Sequence, residues 1–376
     1  MKKYLYLLLL NSAVFAQIPA GYYNSATGSG YTLKTQLKTR ITTGHNDQGY
    51  GAIWNLYTQT AFRDNYYENN GSLLDMYSEK PSGPDSYEYT TTSQQCGNYS
   101  SEGDCYNREH LVPQSYFDNF QIDPMKNDPF HVVPSDGKVN GDRSNFPFGV
   151  VATATYTSSN GSKRGNNSVN GFSSYAGTVF EPIDEFKGDI ARAFLYFATR
   201  YEDFMDDFYN TANASTCQAK NMFDGSINKV FSDDFILILI KWHKQDPVSA
   251  KEIAQNNYIY YNYQGNRNPY IDHPEYVCSI WTTQCATVDA LLSNDSFNLL
   301  SNVVIYPNPS SGNITIESKT TIENIQLISI NGQLLKEIKK PLFENNSFTI
   351  DNLPQGFYFL KLSSESQSTT RKIIVN

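Results

Sequence analysis

Two stretches of the chain bring together side chains able to carry out a hydrolysis. The first is CYNREHLVPQSYF, Cys105 to Phe117, and the second is DPFHVVPSDGKVNGDRSNFPFG, Asp128 to Gly149. Breaking a phosphodiester takes a base to activate water, a cation to neutralise charge developing around phosphorus, and donors that hold the phosphate. Glu109 and His110 are neighbours, so on extended backbone they point to opposite sides, which suits one side chain to a metal and the other to water. An imidazole with an ordinary pKa of about 6.5 can accept a proton at neutral pH. His131 is a further potential ligand. In VNGDRSN, Arg143 is the candidate phosphate clamp, because a guanidinium fork matches phosphate oxygens in two places at once. Asn140 either holds a metal-bound water or builds a turn with Gly141 and Asp142. The chain has five histidines and two of them fall here, so the clustering alone is a thin signal. A Glu-His pair arises by chance, and His131, between Phe130 and Val132, also reads as a buried histidine. HExxH, Walker, GxSxG and paired CxxC motifs are absent, which removes the commonest competing chemistries.

The elements that must hold these residues are mostly helical before residue 287. From Asp184 to Tyr201, Ile190, Ala193, Phe194, Phe197, Ala198 and Tyr201 recur at helical spacing, which predicts an amphipathic helix on the core. Ser249 and Glu252 after Pro247 form a capping-box pattern that starts a second helix. Clear strands are few there, and Tyr/Asn/Gly-rich loops are long. Residues 287–302 are rich in Ser, Asn and Asp and read as a linker. Beyond them come short alternating runs: Asn313–Glu317, Ile325–Ile330, Gln333–Ile338, Ser347–Ile350, Phe357–Leu362 and Lys372–Val375. These predict strands of a small β-sandwich, with Asn331-Gly332 as a two-residue type I′ hairpin turn.

At 376 residues the chain is long enough for two domains. Aromatic residues make up 14% and charged residues only 18%, a balance that fits an exported globular protein and excludes a disordered one. Lys2 and Lys3, the apolar run Tyr4 to Leu10, and the small residues Val14 and Ala16 predict a signal peptide over 1–16. Asn11 and Ser12 interrupt that run well short of the roughly 20 apolar residues a membrane span needs, and no other segment predicts one. Export permits disulfides. Cys96 and Cys105 flank one short loop and Cys278 and Cys285 another, so two local bridges are expected, with Cys217 unpaired. A net charge of −9 runs against a polyanionic ligand in general, yet an enzyme hydrolysing a phosphodiester needs only a locally positive groove and a cation at the phosphate.

The strings NREHLVPQS, DGKVNGDRSNFPFG, FEPIDEFKGDIARAFLYFATRY, LIKWHKQDPVSAKEIAQNN and QGNRNPYIDHPE, in that order, resemble the secreted endonuclease I family. With PAGYYNSATG and YGAIWNLY, the resemblance covers most of residues 19–282. It implies an α+β fold, mainly helical, containing a ββα-metal motif that grips one divalent cation. The implied activity is weakly sequence-selective cleavage of DNA, and of RNA as a second substrate, leaving 5′-phosphates. Position by position, His110 matches the general base, Glu109 the acidic metal ligand, and His131 a second ligand that is Asn in some relatives. The implied cofactor is Mg2+, with Mn2+ as the alternative that an imidazole ligand would favour. The tail strings YPNPSSG, NGQLL, LPQGFYFLKL and RKIIV resemble the type IX secretion sorting domain, which implies contact with secretion machinery and delivery to the cell surface or medium. The expected organisation is a signal peptide over 1–16, a catalytic domain over 17–286, a linker over 287–302 and a sorting domain over 303–376. Two other function classes fit the same residues: a surface binding protein in which the Glu-His pair is structural, and a metal-dependent hydrolase of another substrate. Arg192 and Arg267 read as structural charges rather than site groups.

Overall fold

Twelve of the fourteen residues in the helix Lys187–Arg200 are buried, which makes it the axis of the first of two compact units, Met1–Val288 and Asp289–Asn376. The computed structural model describes residues 18–295, 303–318, 320–364 and 368–376. The expected signal peptide and residues 296–302 of the expected linker lie outside them. Among the described residues, no helix is long and apolar enough to cross a membrane.

The architecture is α+β. Helices of seven or more residues are α1 Gly30–Thr42, α2 Gly137–Arg143, α3 Lys187–Arg200, α4 Met205–Thr211, α5 Asp233–Gln245, α6 Ala250–Asn262 and α7 Thr282–Asp295. The first unit's strands are β1 Tyr106–His110, β2 Val132–Asp136, β3 Val151–Thr157, β4 Lys163–Asn167 and β5 Thr178–Glu181. Helices α1 and α5 lie against α3. Leu33, Leu37 and Ile41 supply the buried face of α1, spaced as an amphipathic helix requires. The capping box at Ser249 and Glu252 is formed, so α6 starts where the sequence predicts. Arg192 and Arg267 are buried in ion pairs with Glu252 and Asp272. Cys96–Cys105 and Cys278–Cys285 are bonded and Cys217 is buried and free, the pairing expected from spacing.

The expectation of few strands misses the antiparallel sheet β3-β4-β5. Its middle strand reads KRGNN, with no apolar residue, so no alternation announces it. Residues 287–295 belong to α7 rather than to a linker: Ala290, Leu291 and Leu292 favour helix more than Ser293 and Asn294 oppose it.

The second unit is a β-sandwich of β6 Val304–Tyr306, β7 Ile314–Glu317, β8 Asn324–Ser329, β9 Leu334–Lys339, β10 Ser347–Ile350, β11 Gly356–Ser363 and β12 Ser368–Val375. Its sheets run β10-β7-β6 and β12-β11-β8-β9, and Ile314, Ile316, Ile325, Leu327, Leu360 and Leu362 fill the core. The β8-β9 turn differs from the expected type I′. Only Gly332 has positive φ, 79°, its N–H donates to Ser329 O, and Ser329 N–H donates to Gln333 O. A three-residue loop closed by a left-handed glycine satisfies the strand twist as well as the two-residue turn would.

Candidate active site

Strands β1 and β2 pair antiparallel with Glu109 opposite Val133 and His110 opposite Val132, and α2 begins directly after β2. Asp136 makes that junction. Its side chain accepts from Val139 N–H at 2.8 Å as the N-cap of α2, and from Tyr89 Oη–H at 2.6 Å and Gly103 N–H at 2.8 Å. The string Asn140-Gly141-Asp142 is thus part of a helix and not the turn it can be read as. Its glycine has a packing cause: a Cβ on Gly141 would stand 2.3 Å from the Tyr99 hydroxyl, so only Gly lets that ring lie on the helix. Asp142 is held by Lys138 and Arg164.

Alternation along β1 sends Asn107 and Glu109 to one side, and Arg108 and His110 to the other. Both sides nevertheless border one open cleft of about 240 Å³, lined by Arg108, Glu109, His110, Asn140 and Arg143 among others. Glu109 is 2% exposed. Its Oε1 accepts from the Tyr77 hydroxyl at 3.1 Å and lies 3.3 Å from Arg143 Nε. Burial pushes the carboxyl up to about 7, against the pull of Arg143 and Tyr77. Burial and then the Glu109 charge keep the Tyr77 phenol protonated, hence a donor. Asn140 Nδ2 donates to Asn107 Oδ1 at 2.7 Å, which turns its Oδ1 to other partners.

His110 Nε2 stands 3.1 Å from the Lys126 carbonyl oxygen. A carbonyl can only accept, so Nε2 carries the proton and Nδ1 is left with a free lone pair. Burial, reinforced by His131, lowers the His110 pKa to about 3, so the ring is neutral at pH 7. Tyr50, Phe117 and His131 surround the ring and fix its orientation, with centroids at 5.7, 6.3 and 5.9 Å.

His131 is placed otherwise than a ligand would be. It is fully buried, its Nε2 meets Met125 O at 2.6 Å, and its ring packs edge-on against Phe197 at 4.8 Å. It does not line the cleft; it backs His110, and its Nδ1 is buried without a partner. Arg143 also departs from expectation. At 1% exposure it donates through Nη1 to His110 O and Ser144 O, 3.2 and 3.1 Å, and through Nη2 to Leu111 O. A guanidinium engaged with three carbonyls braces the end of β1 and cannot fork onto a phosphate. Arg143→Ala should therefore act first on stability. Leaving Glu109 buried and unpaired costs about 3–5 kcal/mol, a fall in Tm of roughly 6 °C or more. An unchanged melting curve for the variant would refute the bracing role.

Sequence reasoning passed over three contributors. Tyr77 sits in a long irregular segment with no periodicity to mark it. Arg108, next to Glu109, has its guanidinium 3.3 Å from the Tyr50 ring centre and 4.2 Å from that of Trp54. With those rings it lines a second hollow of about 390 Å³ beside the first. Lys126 Nζ also lies over Tyr50, at 4.6 Å, so Arg108 and Lys126 form a basic patch around that ring on a chain of net charge −9. The adjacency of Arg108 to the Glu-His pair, in a strand that alternates, is the signal that could have found it.

The donors present fit a hard cation: a carboxylate whose hydrogen-bond and ion-pair partners both use Oε1, and an asparagine, Asn140, lining the same cleft. Two known families match the chain. Residues 29–275 match the family described as Endonuclease I, and residues 304–376 match the secretion system C-terminal sorting domain. An extracellular ribonuclease of Bacillus amyloliquefaciens is 35% identical over 264 residues, 69% of this chain and 78% of that protein. An extracellular ribonuclease of Bacillus subtilis (strain 168) is 34% identical over 264 residues, with the same coverage.

Proposed function

Since the chain belongs to the endonuclease I family and carries a C-terminal secretion sorting domain, we propose that it is an exported, metal-dependent endonuclease that cuts DNA and RNA with little regard to sequence and leaves 5′-phosphates. The observation that carries this reading is the shared cleft: Glu109 and His110 leave β1 on opposite sides, yet both border it together with Asn140. The strand pair β1-β2 and helix α2 then act as the ββα-metal motif. A divalent cation would be held by Glu109 and Asn140 rather than by His131, and an all-oxygen donor set would favour Mg2+ over softer ions. Bound there, it would offset charge on the phosphate and on the departing 3′ oxygen.

His110 does the proton chemistry. Its Nδ1 takes a proton from the water that attacks phosphorus, while the Lys126 carbonyl holds the ring by its other nitrogen. As the new P–O bond forms, the P–O3′ bond breaks, leaving the phosphate on the 5′ side. Arg143 and Tyr77 favour the ionised form of Glu109 against its burial and hold it in place. Arg108, stacked between aromatic rings, contacts the neighbouring nucleotide without reading base edges, which accounts for weak selectivity. RNA is included because both similar proteins are called ribonucleases. The leader over 1–16 starts export and the tail completes it.

Purified protein should degrade plasmid DNA and folded RNA in Mg2+ and lose at least about 10²-fold activity in EDTA, as removal of several kcal/mol of transition-state stabilisation requires. Fragments should accept a radiolabelled phosphate from polynucleotide kinase only after phosphatase treatment. Cleavage untouched by EDTA, or 5′-hydroxyl ends, would overturn the mechanism.

A further inference from the structure

Between Asp64 and Tyr89 the chain forms neither helix nor strand beyond the isolated bridge of Leu73 to Arg63, and Asp64, Glu68 and Glu79 each bring one carboxylate oxygen within 4.8 Å of the others. Asp64 and Glu79 are each 1% exposed. Among the described residues, no Lys, Arg or His forms an ion pair with any of the three. Asp64 is partly satisfied, its Oδ1 accepting from the N–H groups of Tyr66 and Tyr67 at 3.0 and 2.9 Å. Glu79 is not. Its Oε1 is sealed from solvent and meets no donor, and Oε2 of Glu68 is sealed and orphaned in the same way. Acceptor oxygens closed off together are costly unless a proton or a cation stands among them; burial and the charges of Asp85, Glu68 and Asp64 push Glu79 up to about 9, a repulsion that a bound cation would relieve.

We propose that Asp64, Glu68 and Glu79 form a second cation site, distinct from the Glu109 cleft, that takes a hard divalent ion of the calcium type. Calcium accepts six to eight oxygen ligands at about 2.3–2.6 Å in irregular geometry, so ligands on opposite sides of it stand roughly 4.6–5.2 Å apart. The three oxygens lie within 4.8 Å of one another, close enough to share one such ion, and waters or main-chain carbonyls would complete the shell. Magnesium demands a tighter octahedron at about 2.0–2.1 Å, which three side chains on an irregular segment do not offer. The role of the ion is structural, and it reaches the cleft through the same segment. Asp75 Oδ2 accepts from Asp136 N–H at 2.7 Å, where α2 begins, and Tyr77 donates to Glu109. Fixing residues 64–79 therefore fixes two of the groups that hold the cleft in shape. The site itself stands whether or not the chain is a nuclease.

The test uses the whole secreted chain stripped with EDTA, in the wild type and in a Glu109→Gln background that disables the cleft. Adding CaCl2 to near-millimolar levels should raise Tm by about 5 °C or more in both, the shift that saturating a native-state site produces. Glu79→Gln and Glu68→Gln should lose the shift. In EDTA, Glu79→Gln should melt no lower than the wild type, because neutralising one carboxylate relieves the same repulsion. Terbium emission excited through Tyr66 and Tyr67 should appear in the Glu109→Gln protein, fall on adding calcium, and be absent when Glu79→Gln is combined with Glu109→Gln. No calcium-dependent Tm shift, or an equal shift in both Gln variants, would overturn the second site while leaving the nuclease reading untouched.

Discussion

His110→Ala should lose about 10²–10⁴-fold in kcat with KM and Tm nearly unchanged, the range that general-base catalysis contributes. The expectation follows from one hydrogen bond. With Nε2 donating to Lys126 O, the other ring nitrogen is the basic one, and burial keeps the ring neutral at working pH. The ring is neutral and packs beside Tyr50, Phe117 and His131, so truncation leaves a small void rather than an unpaired charge. A small exogenous base such as imidazole, admitted to the void, should restore part of the rate. Full activity in His110→Ala would remove this residue from the chemistry.

Glu109→Gln should cost at least about 10²-fold in kcat/KM and raise the Mg2+ concentration needed for half-maximal rate, since a neutral amide is a poorer ligand for a hard cation. The substitution keeps the shape and both neighbours. Tyr77 can still donate to the amide oxygen, and Arg143 keeps its carbonyls. Stability should fall by less than in Arg143→Ala, because Arg143 loses its carboxylate but keeps three carbonyl acceptors, and a carboxyl already pushed up to about 7 gives way to a neutral group. A variant that loses activity through unfolding, with Tm collapsing, would make Glu109 a structural residue. Unaltered magnesium dependence would exclude it as a ligand.

The sequence displays residue types and spacing well, and partners across space poorly. The Glu-His pair and VNGDRSN are legible because chemistry needs those side chains close together, and α3 and α6 are legible because their apolar period and capping box are local signals. The roles inside the motif are less so. Arg143 has the fork that suits a phosphate, but nothing in the string tells that the carbonyls of His110 and Leu111 reach it first. His131 offers a ligand by type and loses the position by burial, because Phe117 and Phe197 close over it while α2 carries Asn140 to the cleft instead. Tyr77 lies 32 residues from the carboxylate it supports and had no local mark at all. The sheet β3-β4-β5 escaped because its pairing is backbone chemistry over polar side chains.

Anomalous scattering from manganese, in crystals of His110→Ala bound to a DNA duplex, tests most directly whether cation and base converge on one phosphodiester. The account predicts a peak bounded by Glu109, Asn140 and a backbone phosphate, with that phosphate's far side turned to position 110. A peak held by His131, or a phosphate with metal on the opposite end of the molecule and Glu109 still bonded only to Tyr77 and Arg143, would contradict it.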